Sequence, residues 1–120
     1  MGGLPTPPVY LLALVATLAV ESPVYGLLLR LVKGIPFRTG LGAGAAVNLV
    51  SHPLAFLVLF PLVYPRIGAV AALAAAEVFA VGCEALLVWI WRRDSPAQLA
   101  GISYVANALS FSIGLLAVSR

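Results

Sequence analysis

Four apolar runs limit what this chain can become. Residues roughly 8–31, 40–63, 68–91 and 97–118 are each long enough to cross about 30 Å of hydrocarbon, which takes ~20 helical residues. In lipid every backbone N–H and C=O must be satisfied internally, so such runs form helices or close as a barrel. None of the four alternates with period two over ten residues, so the expectation is all-α. Composition agrees: of 120 residues 62% are hydrophobic and 9% charged, where a water-soluble domain carries roughly 25% charged residues. The chain is expected to form a single transmembrane domain whose first partner is the lipid bilayer. The first run is longer than the apolar core of a signal peptide, and no basic residue precedes it. It is therefore read as retained in the mature protein.

The breaks between runs are marked by residues that stop or start helices. Thr6-Pro7-Pro8 places a cap before Pro in a first turn, and Gly34-Ile35-Pro36 breaks the chain after the first run. Tyr64-Pro65-Arg66-Ile67-Gly68 reads as a tight turn. Ser95-Pro96-Ala97-Gln98 has the form of a capping box, with Gln three positions after Ser. Arg30, Lys33 and Arg38 lie around the first break and Arg92 and Arg93 around the third, against Arg66 and Arg120 at the opposite end. The excess of basic residues in cytoplasmic loops then predicts four transmembrane helices as two tandem hairpins. Both hairpin loops lie inside and both termini outside, with Trp89 and Trp91 as interfacial anchors.

The acidic residues are distributed differently. Only Asp94 falls in a loop, while Glu21, Glu77 and Glu84 sit inside apolar runs. They belong to a repeat: Glu21 stands nine residues before Arg30 and Glu84 nine before Arg93, and Asn48-x-x-Ser51 recurs as Asn107-x-x-Ser110. The halves 8–63 and 68–118 would then be related by a pseudo-twofold axis along the membrane normal. At ~1.5 Å per residue, Glu21, Glu84, Asn48 and Asn107 share one depth. His52 lies farther out by about one turn, and Glu77 by about two. His52 and Glu77 have no counterparts in the other half, which suggests that they meet. Pro23 and Pro53 follow Glu21 and His52 and are expected to kink their helices.

Carboxylates inside a bilayer are costly and usually functional. Glu21, Glu77, Glu84 and His52 are therefore the candidates for ion or proton coupling, with Asn48, Asn107, Ser51 and Ser110 as polar partners. The competing reading is structural: neutral Glu, Asn and Ser can bond helix to helix in lipid, each contributing ~0.6 kcal/mol on average. Other chemistries find little support. Cys83 is the only cysteine, which excludes an intrachain disulfide and a Cys-based metal site. One His with three Glu lacks the Glu-x-x-His spacing of di-metal bundles, so no metal or cofactor is expected. Ser51 and His52 are adjacent and point about 100° apart on a helix, a poor nucleophile–base pair. Gly40, Gly42 and Gly44 suit close helix approach rather than phosphate binding. The few basic residues are explained by topology, so no nucleic-acid partner is expected.

In size and span number the chain is similar to the small multidrug resistance transporters, which have four spans and an essential Glu in the first. Glu21 is the one position that carries over. The surroundings of that Glu in the family are absent here, and the Glu77/Glu84 pair and Asn-x-x-Ser repeat are not theirs. The order Glu, N-x-x-S-H-P, E-x6-E, N-x-x-S also resembles small bacterial four-span integral membrane proteins of unassigned function, which implies a prokaryotic cytoplasmic membrane. Two readings stand from different classes. One is proton- or cation-coupled movement of a small solute, and the other an accessory or scaffold subunit of a larger membrane complex. An intramembrane enzyme ranks third. Four helices enclose little volume, so a homo-oligomer or a larger membrane subunit is expected as partner.

Overall fold

The structure, a computed structural model, describes residues 7–118. Among these it is helical throughout with no strand: α1 (Pro7–Lys33), α2 (Phe37–Pro53), a π-helical turn (Leu54–Leu59), α3 (Phe60–Arg92) and α4 (Pro96–Val118). Helix α1 starts at the prolines expected to open it and runs unbroken through Pro23. Pro53 does mark a change, because the backbone leaves α-helical pairing directly after it and takes the π form. A proline lacks the amide that would bond back one turn, and the wider pairing accommodates that loss.

The second reversal is narrower than the sequence indicated. Tyr64-Pro65-Arg66-Ile67 stays helical, and only Gly68 departs, at φ 85° and ψ 173°, a region open almost exclusively to glycine. That single residue folds the chain back. A straight 56-residue rod from Phe37 to Arg92 would be about 84 Å long, whereas the longest extent of the molecule is 47 Å. Ser51 and Glu84, 33 residues apart, are hydrogen-bonded.

Two stretches, Tyr10–Lys33 and Phe37–Arg92, are long and apolar enough to cross a membrane, and each has only 22% of its most apolar window buried inside the molecule. A core helix of a water-soluble protein would be mostly covered, so the low burial matters. The surface is correspondingly apolar, with Val70, Val78, Leu12 and Leu31 among its most exposed residues. The buried stripe is the polar one: Glu21, Ser22, Asn48, Ser51, His52, Glu84, Ser103 and Asn107 are all inside. That is the reverse of what water selects.

Each helix buries one stripe. Glu21, Ser22, Tyr25, Gly26 and Leu29 face inward from α1, and Leu99, Ile102, Ser103, Ala106 and Asn107 from α4, the 3.6-residue spacing of an amphipathic face. Helix α1 packs on α2 and α4, and α3 packs on those same two, which sets α1 and α3 on a diagonal. The α1–α2 contact is very close, since a Cβ on Gly44 would come within 2.8 Å of Tyr25 Cβ, and one on Gly40 within 2.9 Å of Gly26 Cα. Gly42 faces open space, so two of the three glycines expected at this contact make it.

At one end, Tyr25, Leu29, Ile35, Val47, Val88, Leu99, Ile102 and Ala106 form a dry core. Lys33 Nζ meets Asp94 Oδ2 at 3.1 Å across that end, so the Gly34–Pro36 and Arg93–Ser95 breaks lie side by side. The Arg93 guanidinium stacks over Trp89, and Arg92 over Trp91. The reciprocal capping box is not formed as the sequence suggests: the Ser95 amide donates to Asp94 Oδ1 at 2.7 Å, so Asp94 takes the place expected for Gln98. Asp94 is fully exposed, and the Ser95 amide, followed by Lys33, holds its carboxyl below the ordinary value of 3.8.

Candidate functional site: a polar layer opening into a cleft

Glu84 on α3 is the centre of the polar layer, and donors reach it from the other three helices. The Tyr25 hydroxyl of α1 donates to Oε1 at 2.8 Å, the Ser51 hydroxyl of α2 donates to Oε2 at 2.6 Å, and Asn107 Nδ2 of α4 donates to Oε1 at 2.9 Å. A carboxylate has about four lone-pair sites, so this group is nearly saturated. The sequence pattern contained Ser51 and Asn107 but missed Tyr25. Its signal was available: Tyr25 lies one turn from Glu21 on the same face, and a phenol in an apolar helix needs a partner.

Glu21 is equally buried, at 1% exposure, but differently served. Oε2 accepts a hydrogen bond from the Ser110 hydroxyl of α4, while Oε1 has no hydrogen-bond partner among the described residues. The bonds of the two halves interlock. Ser51 of the first half reaches Glu84 of the second, and Ser110 of the second reaches Glu21 of the first. Asn48 and Asn107 each donate to the carbonyl one turn back in their own helices, Gly44 and Ser103, at 2.9 Å. Asn107 also donates to Glu84 at 2.9 Å. The position equivalent to Tyr25 in the second half, counting from the glutamate, is Val88, which has no hydroxyl to offer Glu21.

All eight polar residues singled out from the sequence line one cleft of about 270 Å³: Glu21, Glu77, Glu84, His52, Asn48, Asn107, Ser51 and Ser110. Ala13, Thr17, Phe56 and Leu73 also line it, which carries the cleft from the glutamate layer toward the Gly68 end, away from the dry core. The expected His52–Glu77 bond is absent. His52 Nδ1 pairs instead with the Tyr10 hydroxyl at 3.1 Å, and its ring lies between Tyr10 and Phe56 at centroid distances of 5.2 and 4.7 Å. Tyr10 is one helical turn above Ala13 on α1, at the depth where His52 needs a polar neighbour. Depth alone could not choose between it and Glu77. Glu77 is half-buried, and it also borders a second, more apolar cleft between α3 and α4.

No group of three or more His, Cys, Asp or Glu among the described residues is placed to hold a metal ion. Cys83 is a free thiol, half-buried beside Glu84 in sequence. No family model, curated protein or solved structure matches this chain.

Proposed function

We propose that the chain is an integral membrane protein of four spans, two tandem hairpins with both termini outside, that couples movement of a proton or cation to movement of a small solute through the Glu21–Glu84 cleft. The observation that carries this reading is a cleft of about 270 Å³ lined by Glu21, Glu77, Glu84 and His52, with Glu21 Oε1 buried and unpartnered beside it. A polar layer serving only to hold helices together would close its acceptors, because an unmet buried acceptor costs about 1–3 kcal/mol. Glu21 would exchange the coupling ion, Ser110 would orient it, and Glu84 with Tyr25, Ser51 and Asn107 would form the fixed wall facing it. His52 and Glu77 lie farther along the cleft and would pass the ion outward. The interlocked Ser51–Glu84 and Ser110–Glu21 bonds support the internal repeat, and the adjacent loops at the Lys33–Asp94 end support the hairpin topology. A second copy, or a larger membrane subunit, is the partner implied for a full path across the bilayer.

The saturation of Glu84 favours a second reading, in which the chain is an accessory subunit and the layer fixes helix register. Flux separates the two. In proteoliposomes carrying an internal pH dye, an imposed pH gradient should drive a proton flux that Glu21→Gln lowers at least about tenfold, the effect of ~1.4 kcal/mol on a barrier. A flux unchanged by Glu21→Gln and Glu84→Gln, or no flux above empty liposomes, overturns the transport reading and leaves the accessory one.

A further inference from the structure

We propose that the groove between α2 and α3 binds one anionic phospholipid, with an acyl chain along Ala46, Val50 and Leu87 and the headgroup phosphate on Arg92. The inference goes beyond the transport reading and rests only on the chain spanning a bilayer. The groove has a volume of about 410 Å³ and runs from Thr39 and Trp91 to Val50. Apart from Thr39 and Trp91, its lining side chains are aliphatic. An empty apolar groove forfeits dispersion contacts, and in a bilayer the hydrocarbon beside it is lipid. Thr39 to Val50 is a rise of about 16 Å along α2, close to one leaflet of a ~30 Å core. An acyl chain of one leaflet therefore matches the groove in depth as well as in chemistry.

Charge at the mouth selects the headgroup. Trp91, the wall residue at that end, carries the Arg92 guanidinium over its ring at 5.3 Å. Arg92 has no carboxylate partner among the described residues, and Asp94, the acid nearest in sequence, is engaged by Lys33 at 3.1 Å. Arg38, which is exposed, precedes Thr39 on α2 and adds to the same field. A guanidinium forks onto a phosphate with two parallel N–H bonds, and a tryptophan marks the headgroup level. A zwitterionic headgroup brings its own ammonium into this field, whereas an anionic one does not. The groove between α3 and α4 offers the opposite: Glu77 borders it and no basic residue does.

Quenching of Trp91 fluorescence by brominated lipids tests this, in vesicles mixing phosphatidylglycerol with phosphatidylcholine and brominating one of the two at a time. The full chain carrying Trp89→Phe keeps Trp91 as its one tryptophan. Phosphatidylglycerol should be preferred at Trp91 by about fivefold or more, the ratio for ~1 kcal/mol per basic residue near an anionic headgroup. Arg92→Gln should lower that preference about fivefold. Arg93→Gln removes a charge at the same end, but one stacked on residue 89 outside the groove, and should leave most of it. Ala46→Phe fills the groove and should abolish the preference while keeping every charge. Thermal melting of each variant confirms folding, and if Ala46→Phe fails to fold, Arg92→Gln against Arg93→Gln decides alone. Equal quenching by the two lipids, equal losses in Arg92→Gln and Arg93→Gln, or a preference that survives Ala46→Phe overturns the proposal. Proton flux is a separate readout, so the transport reading and the lipid site can fail independently.

Discussion

Glu84 and Glu21 occupy equivalent places in the two halves, are equally buried, and face each other from diagonal helices, yet one accepts three hydrogen bonds and the other one. The difference traces to two pairs of residues, Tyr25 against Val88 and Asn107 against Asn48, of which the first is a difference in residue type. Tyr25 follows Glu21 by one turn and reaches across the diagonal to Glu84, while Val88, one turn after Glu84, has nothing to give back. Two similarly spaced glutamates are thus served very differently. A nearly saturated carboxyl holds three helices to a fourth and has little capacity left, and the other accepts a single hydrogen bond, from Ser110.

The largest test of this contrast is removal of each carboxyl. Glu84→Leu strands the donors of Tyr25, Ser51 and Asn107 at once and should cost ~3 kcal/mol or more, at about 1–3 kcal/mol for each buried group left unmet. Glu21→Leu leaves Ser110 with the Asn107 carbonyl as acceptor at 3.1 Å and should cost about 1 kcal/mol or less. Unfolding by denaturant in mixed micelles measures both, and equal losses would break the comparison. Glu84→Gln should retain most of the stability, since it keeps one carbonyl acceptor.

Packing around Tyr25 gives the next effect. Gly44→Val places a side chain against Tyr25 Cβ, where even one carbon would approach to 2.8 Å. Overpacking of that kind costs about 1–3 kcal/mol and should also pull the Tyr25 hydroxyl from Glu84. Gly42→Val, on the open side, should change stability by less than about 0.5 kcal/mol. Similar losses in the two variants, read from their melting temperatures, would mean that the α1–α2 approach does not position Tyr25. Tyr25→Phe sharpens the comparison further. It should cost ~1 kcal/mol in melting, because Glu84 keeps its bonds to Ser51 and Asn107; no loss would mean that the Tyr25 bond does not separate the two glutamates.

Much of this was legible from residue types and spacing. Glutamates in apolar runs had to face inward, the Asn-x-x-Ser recurrence placed two more polar pairs at the same depth, and all eight candidate residues line one cleft. What spacing could not supply was the azimuth of each side chain once the helices were packed. His52 had two polar neighbours within reach by depth, and it pairs with Tyr10 rather than Glu77. Asn48 donates to its own helix at Gly44, a local bond always within reach of a short amide side chain that depth alone does not reveal. The turn expected over residues 64–68 narrows to its last residue, because Pro65 stays within the helix. The helix tolerates it, and the reversal falls on Gly68, the residue able to adopt a positive φ without strain.

The smallest expected effect lies outside the polar layer. The Ser95 amide and Lys33 hold the Asp94 carboxyl below its ordinary value of 3.8. A carboxyl depressed by folding contributes stability above its unfolded pKa and loses it as pH falls through its folded one. Melting curves of the native chain and Asp94→Asn should therefore differ slightly from pH 6 down to about 4 and converge below. Because Asp94 is fully exposed, the difference should shrink in high salt. A gap that persists at pH 2 would mean that the contact acts through packing rather than charge.

The inequality of the two glutamates is read most directly by infrared difference spectroscopy of the chain carrying ¹³C-labelled glutamate. The expected result, recorded on a pH step, is a change in carboxyl absorption that disappears in Glu21→Gln and persists in Glu84→Gln. A change that survives Glu21→Gln and vanishes in Glu84→Gln would contradict it, because the saturated carboxyl would then be the working one.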